Sequence, residues 1–247
     1  MRQIFPLLGL VALALIAGCT PFGEGILRKA DSSRDGAATV EQANRVQEVA
    51  VTERQSLDLL TRETLRNYGS VIKTYSERYG FDWRLILAII RQESRFSPKA
   101  VSHKGAYGLM QIMPVTGREV SLVLGIDNMA LPKNNIRGGI FYLRSMYNRF
   151  EAADELERLK LSLAAYNAGL GRVYDAQGIA AYFNESPNEW QSVRDALPLL
   201  SKRYHTLHRS VWESEKPRFG WFGDSEETIA YVESIMEYYD EYLLLLN

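Results

Sequence analysis

"RLILAIIRQESRFSPKAVSHKGAYGLMQIMP", residues 84–114, begins as a nearly unbroken apolar run and changes character at Glu93. Residues 85–90 are all apolar, and Asp82 is placed to cap a helix that starts immediately after it. The pair Ser97–Pro98 predicts where that helix ends, because the residue before a proline disfavours helical geometry. A helix that is apolar on nearly all sides is buried, so this segment is predicted to be the central helix of the fold.

Glu93 is the residue of this helix that needs an explanation. It follows Ile89 and Ile90 by four and three positions, so its side chain shares a helix face with core residues. Burial disfavours the ionised form of a carboxyl group and raises its pKa. An acid catalyst of glycosidic cleavage requires a carboxyl that is protonated near neutral pH, because the leaving oxygen needs a proton. The alternative is an ion pair at the helix end with Arg91 or Arg95.

The flanking sequence favours the catalytic interpretation. "ESRFSPKAVSHKGAYGLMQIMP" (93–114), "NIRGGIFYL" (135–143) and "AYNAG" (165–169) follow one another along the chain, and "ETIAYV" (227–232) lies near the C-terminus. In order and spacing they resemble the motif blocks of the soluble lytic transglycosylase (SLT) family, over roughly Tyr68 to Tyr242. The resemblance implies an all-α, goose-type lysozyme-like domain with a central buried helix and a substrate cleft.

Several residues in these blocks are candidates for contact with a glycan strand. Met110 offers a soft apolar wall and Gln111 an amide able to bond acetamido or hydroxyl groups. Tyr142, Tyr166 and Asn167 combine aromatic faces with polar tips, which suits a sugar ring that has one apolar face. The resemblance adds Ser94 and Ser102, and it implies that Ser102 and Tyr166 lie close to the reacting sugar. For the tyrosines, core packing with the hydroxyl at the surface is the alternative.

The number of carboxylates bears on the mechanism. Most glycosidases use two, about 5–5.5 Å apart for retention or 6.5–9.5 Å apart for inversion. Apart from Glu93, the matched blocks around the predicted site contain no second acidic residue. The resemblance implies cleavage of the β-1,4 MurNAc–GlcNAc bond of peptidoglycan with formation of 1,6-anhydro-MurNAc ends. A hydrolytic muramidase of the same fold, or a wall-binding lipoprotein without activity, are the alternatives.

Composition excludes several other classes. The 247 residues carry a formal net charge of −1, and their Lys and Arg residues are interspersed with Asp and Glu, so nucleic acid is not a predicted partner. A single cysteine rules out an intrachain disulfide and a cysteine zinc site. His205 and His208 are spaced for one helix face but have no third ligand nearby, so neither a metal site nor a cofactor is predicted.

The N-terminus predicts export and a lipid anchor. Residues 4–16 form an apolar run too short to cross a bilayer, which needs roughly 20 residues, but suitable for a signal peptide. "IAGC" resembles a bacterial lipobox, which implies cleavage after residue 18 and acylation of Cys19; an ordinary signal peptide is the alternative. Two or three acyl chains on one residue anchor a protein stably. Thr20, rather than Asp, resembles outer-membrane sorting, so we expect a periplasm-facing lipoprotein of the cell envelope.

The remaining chain divides into three predicted parts. Residues 19–39 lack periodicity and predict a flexible tether, residues 40–66 a charged helical extension, and residues 67–247 the SLT domain. Within the domain, further helices are predicted at 115–124, 135–150, 155–167, 169–176, 188–196 and 226–246, with Gly80 as a helix C-cap. Residues 200–224 match no motif. Their aromatic residues either cap the core or line the far end of a glycan groove: Trp212, Phe219, Trp221 and Phe222.

Overall fold

The computed structural model describes residues 57–246. Over this range the chain forms nine α-helices, and residues 197–204 add two short 3-10 turns. Only isolated β-bridges join Tyr107 to Val101 and Ile112 within the described residues, which confirms the all-helical prediction. The helices are α1 (Leu59–Tyr79), α2 (Trp83–Ser94), α3 (Pro114–Leu124), α4 (Pro132–Tyr147), α5 (Glu155–Ala168), α6 (Leu170–Tyr182), α7 (Trp190–Ala196), α8 (His205–Val211) and α9 (Ser225–Leu245).

Helix α2 is the predicted central helix. Each residue from 85 to 90 is at most 2% exposed, and the Asp82 carboxylate accepts the backbone N–H of Arg84 at 2.8 Å as the predicted N-cap. The predicted end of α2 is wrong by three residues, because Arg95 and Phe96 both have left-handed backbone conformations, with φ of 48° and 64°. Burial of the Phe96 side chain in the core accompanies this turn.

Helices α9 and α1 pack directly on α2. Helix α9 packs along α2 and against α5, while α1 packs against α4 and α2. Helices α6 and α7 pack on each other beside α5. Because α2 is covered on several sides, its C-terminal end is the part of the helix that leaves the core, and Glu93 lies there.

Helix boundaries differ from the sequence predictions where a proline or a long-range contact decides them. Helix α4 begins at Pro132 rather than residue 135, because proline suits the first turn of a helix. Helix α6 continues six residues beyond the predicted end, to Tyr182. Gly80 caps α1 in a left-handed conformation, as predicted.

Two sequence predictions concern the N-terminal part of the chain. Helix α1 runs without interruption across the proposed boundary between residues 66 and 67, and the division of the chain into parts stays a prediction. The signal peptide, Cys19 and the tether lie outside the described residues. No helix between residues 57 and 246 is both long and apolar enough to span a bilayer.

The aromatic side chains of residues 200–224 lie in two different environments. Trp212 is buried against His208, whose ring nitrogen Nε2 lies 2.7 Å from the Leu199 carbonyl oxygen. Phe219 and Trp221, in contrast, remain 55% and 45% exposed. Of the two alternatives for these residues, core packing describes Trp212 and the partly buried Phe222 but not Phe219 and Trp221.

Candidate active site

Glu93 is held at the C-terminal end of α2 by a residue from the last helix of the domain. The hydroxyl of Tyr231, on α9, donates a hydrogen bond of 2.6 Å to Glu93 Oε1. Burial raises the pKa of Glu93 from 4.5 to about 7, although the hydrogen bond from Tyr231 acts in the opposite direction. The residue as a whole is partly exposed, and a carboxyl with this pKa is protonated in part near neutral pH.

Neither Arg91 nor Arg95 forms the alternative ion pair with Glu93 in the structure. Arg91 instead donates to Glu241 Oε2 at 2.9 Å, and its guanidinium lies 4.0 Å from the centre of the Tyr238 ring. Arg95 is exposed beyond the end of α2. Among residues 57–246, no salt bridge includes Glu93, so its charge has no cationic partner there.

The glycine-rich loop that follows α2 comprises residues 95–113 and is held to the core by Asn135. This fully buried side chain, on α4, accepts the N–H of Met110 at 2.8 Å and donates to the Tyr107 carbonyl at 3.1 Å. Gly108 has a φ of 82°, and a Cβ at this position would lie 2.5 Å from the Asn135 side chain. Only glycine therefore fits between the loop and α4.

Tyr166 and Met110 meet at the centre of this loop. Tyr166 donates from its hydroxyl to the Met110 carbonyl at 2.8 Å, and its ring lies 5.2 Å from that of Tyr142. Burial, and after it the charge of Glu93, raises the pKa of the Tyr166 hydroxyl well above its ordinary value. The same two causes act on Tyr231. Both hydroxyl groups therefore lie close enough to Glu93 to respond to its charge.

Two predicted contacts with substrate need correction. Met110 is fully buried, with its side chain against Gly139, so it contributes its backbone carbonyl rather than an apolar wall. Ser94 is buried as well, and its hydroxyl donates to the Ile90 carbonyl at 3.1 Å within α2. The sequence motif does not reveal which way these two side chains turn.

The remaining predicted site residues use their polar groups to shape the protein. Ser102 Oγ accepts the Ala106 N–H at 3.0 Å, and the Gln111 amide nitrogen donates to the Gly108 carbonyl at 2.9 Å. Asn167 is exposed, and its Oδ1 accepts from Thr228 Oγ1 at 2.8 Å. These bonds fix the loop and the start of α6 while leaving the Ser102 and Gln111 side chains partly exposed.

Sequence reasoning missed three residues that organise the site. Tyr231 and Thr228 both lie in the "ETIAYV" block, which identifies a closing helix without indicating that its polar tips point toward Glu93 and Asn167. Asn135 is the first residue of the "NIRGGIFYL" block, and the block likewise does not indicate which groups its side chain bonds to. A polar side chain within an otherwise apolar helix face is the signal that could have identified all three.

The described residues thus form a helical domain whose buried central helix presents one sheltered carboxyl at its C-terminal end. Residues 70–191 match the family described as Transglycosylase SLT domain. This part of the chain, which includes Glu93, is similar to that family.

Similar proteins carry longer chains. Over 177 residues this chain is 38% identical to a membrane-bound lytic murein transglycosylase F of Desulfosudis oleivorans, covering 71% of this chain and 36% of the relative. A protein of the same name from Shewanella oneidensis is 37% identical over 186 residues, covering 73% of this chain and 36% of its own. The chain thus spans about a third of the length of these relatives.

Among solved structures, the 70 kDa soluble lytic transglycosylase SLT70 from Escherichia coli is similar to this chain. Its identity is 27%, its TM-score 0.49, and the match covers 71% of this chain and 24% of that protein.

Proposed function

We propose that this chain is a peptidoglycan lytic transglycosylase that cleaves the β-1,4 bond between MurNAc and GlcNAc and leaves 1,6-anhydro-MurNAc ends. The observation that carries the proposal is the carboxyl of Glu93. Burial raises its pKa to about 7 against the opposing effect of the Tyr231 hydrogen bond, and among residues 57–246 no second acid contributes to this shift. The names of the relatives, which are lytic murein transglycosylases, support the substrate and the reaction.

The first chemical step is donation of a proton to the leaving oxygen. Because the Tyr231 hydroxyl occupies Glu93 Oε1, the acidic proton is directed to Oε2, which is the oxygen left to face a substrate. A pKa near the working pH keeps a large fraction of the carboxyl protonated and still lets it give the proton up. Tyr231 thus orients the acid as well as binding it.

The second step uses the substrate itself, because no other acid among residues 57–246 contributes to the pKa of Glu93. A positively charged sugar intermediate needs a nucleophile, and the substrate's own acetamido group can stabilise the cation. Glu93, now ionised, then accepts the proton of the sugar's 6-hydroxyl, which closes the anhydro ring. A tethered hydroxyl replaces a diffusing water molecule, which lowers the entropic part of the barrier. Proton transfers between Glu93 and substrate suffice, so these steps need no cofactor.

Analysis of the products from purified peptidoglycan tests this proposal directly. An anhydro product lacks one water relative to a hydrolysis product, so mass spectrometry separates the two reactions. We expect anhydromuropeptides with the unaltered protein and a loss of at least about a hundredfold with Glu93→Gln. Reducing ends would instead identify a muramidase, and binding to the wall without cleavage by either protein would identify a non-catalytic wall-binding lipoprotein.

We also propose that the protein acts from the membrane of the cell envelope. The relatives are named membrane-bound, and the lipobox-like sequence supports signal-peptide removal after residue 18 and acylation of Cys19. Residues 19–39 would then tether the charged extension 40–66 and the domain 67–247. Labelling of the protein with a fatty-acid analogue, lost in Cys19→Ser, tests the anchor. Membrane fractionation tests the proposed sorting to the outer membrane.

A further inference from the structure

Two exposed aromatic side chains belong to a segment that the proposed chemistry does not use. Phe219 and Trp221 are 55% and 45% exposed, and Gly220 between them has a left-handed φ of 85°. We call residues 217–222 the aromatic segment. Large aromatic rings normally contribute by burial, so two neighbouring rings left half in solvent call for a ligand or a partner.

The backbone of the aromatic segment is fixed by a buried carboxylate. Asp175, on α6, is 2% exposed and accepts the N–H groups of Arg218 at 3.0 Å and Phe219 at 2.8 Å. On the other side of the turn, Arg172 donates to the Gly220 carbonyl at 3.0 Å. Burial of a carboxylate is unfavourable unless it is hydrogen-bonded, so this arrangement stabilises one conformation of a loop that displays its rings.

The aromatic segment packs on the start of α6, immediately after the "AYNAG" block. The Phe219 ring packs directly on Gly171, two residues after the glycine that ends the block. Just beyond the segment, the Asp224 carboxylate lies 3.6 Å from Lys104 of the glycine-rich loop. Thr228, which binds Asn167, follows Asp224 by one helical turn. The segment and the residues that follow it therefore contact two of the motif blocks that contribute to the candidate site.

The exposed surface of the segment combines two aromatic rings with positive charge. Arg172 bonds to Gly220 and Lys104 to Asp224, whereas the Arg218 side chain is exposed within the segment. The ammonium of Lys202 lies 5.2 Å from the centre of the Trp221 ring. The rings of Phe219 and Trp221 supply the exposed apolar surface, which complements the apolar face of a sugar.

We propose that Phe219 and Trp221 form an aromatic subsite that binds a saccharide ring of the glycan strand at a distance from the bond cleaved at Glu93. This inference rests on the proposed function and extends the glycan site beyond the sugars next to the cleaved bond. Because Asp175 and Arg172 hold the backbone that carries the rings, the segment loses little conformational freedom on binding, so each stacking contact contributes more to affinity.

The test separates this subsite from the catalytic group by measuring binding. In a Glu93→Gln background, affinity for long, peptide-free glycan strands and for a short saccharide is measured with and without Trp221→Ala. We expect the dissociation constant for long strands to rise about five- to tenfold and that for the short saccharide to change less. Trp221→Tyr, which keeps a ring, restores most of the affinity. Phe219→Ala should act in the same direction.

A matched control lies at the opposite end of α6. Phe183 is 50% exposed and packs against Tyr182, so Phe183→Ala removes an exposed ring of similar size away from the loops around Glu93. Equal losses in Trp221→Ala and Phe183→Ala, or no loss in either, overturn the subsite. A loss seen only with peptide-bearing strands also overturns it and identifies a peptide contact. Because binding is measured without turnover, absence of lytic activity would refute the proposed function alone.

Discussion

At the scale of single residues, Glu93 is defined by what surrounds it. Its hydrophobic surroundings raise the pKa to about 7, while the hydrogen bond from Tyr231 moderates that rise and fixes the orientation of the carboxyl. A group with these two influences is suited to release a proton and later to take one back. Burial and the hydrogen bond can be separated experimentally, because burial depends on the helix core whereas the hydrogen bond depends on the Tyr231 hydroxyl alone.

Replacement of Tyr231 by phenylalanine separates them. Because its hydrogen bond favours the ionised form, Tyr231→Phe should raise the pKa of Glu93 further and move the basic limb of the kcat/KM profile to higher pH. The orientation of the acid is lost at the same time, so we expect kcat to fall about tenfold. A pH–rate profile measures both effects. An unmoved basic limb would show that Glu93 is not the acid that the profile reports.

The raised pKa of Glu93 also predicts an effect on stability. Above pH 7 the folded protein holds a sheltered charge that the unfolded chain, with a pKa of 4.5, exposes to water. Stability from this group is therefore complete below pH 4.5 and is lost as pH rises through 7. Glu93→Gln should raise the free energy of unfolding by about 1–3 kcal/mol near pH 8 and by much less near pH 4.

Denaturant unfolding at the two pH values checks this prediction. The exposed Glu237, on α9, provides the control, because Glu237→Gln removes a charge from the surface. If Glu93→Gln stabilised the protein equally at both pH values, the effect could not come from ionisation of Glu93, and the prediction would be contradicted.

At the scale of elements, the glycine-rich loop depends on its contact with α4. The Asn135 side chain satisfies one donor and one acceptor of the loop backbone, and Gly108 allows the approach. The loop in turn supplies the carbonyl that receives the Tyr166 hydroxyl. A substitution at this contact is therefore expected to disturb the site even though the substituted residue does not bond to Glu93.

Asn135→Ala tests the dependence of the loop on α4. It leaves the buried Met110 N–H without its partner and removes one of two donors to the Tyr107 carbonyl, which keeps the Ile112 N–H at 3.1 Å. This change should destabilise the domain by about 1–3 kcal/mol. Asn134→Ala is the matched control, since the neighbouring side chain bonds only to the exposed Asn128 carbonyl. Thermal unfolding compares the two. Similar midpoints would mean that the loop is held by other contacts.

At the scale of the whole molecule, α9 closes the domain over α1 and α2. Tyr242 is fully buried, and its hydroxyl lies 3.2 Å from Thr61 Oγ1 of α1. Arg91 of α2 bonds to Glu241 and stacks over Tyr238. The helix that completes the core thus also delivers Tyr231 to Glu93, so the integrity of the fold and the geometry of the site are coupled.

Arg91→Ala tests this coupling. It removes a partly exposed ion pair and the stacking on Tyr238, for which we expect a loss of about 1–2 kcal/mol in the free energy of unfolding. Arg62→Ala, on the exposed side of α1, should change it by less than about 0.5 kcal/mol. Chemical denaturation gives both values. Equal effects would mean that Arg91 contributes little to the contact between α2 and α9.

The sequence by itself determined the helical class, the central helix, the caps at Asp82 and Gly80, and the place of Glu93 at the end of that helix. These are local properties: apolar periodicity, capping residues and motif spacing act over a few positions along the chain. The same local information failed at Arg95 and Phe96, where burial of a ring reverses the backbone preference.

Tertiary structure alone decided the partners of the site. Tyr231 is 138 residues from Glu93, and Asn135 is 25 residues from Met110. It also turned the side chains of Met110 and Ser94 inward and left Phe219 and Trp221 in solvent. The physical reason is that hydrogen bonding and burial depend on which helix faces meet, and no local pattern specifies that.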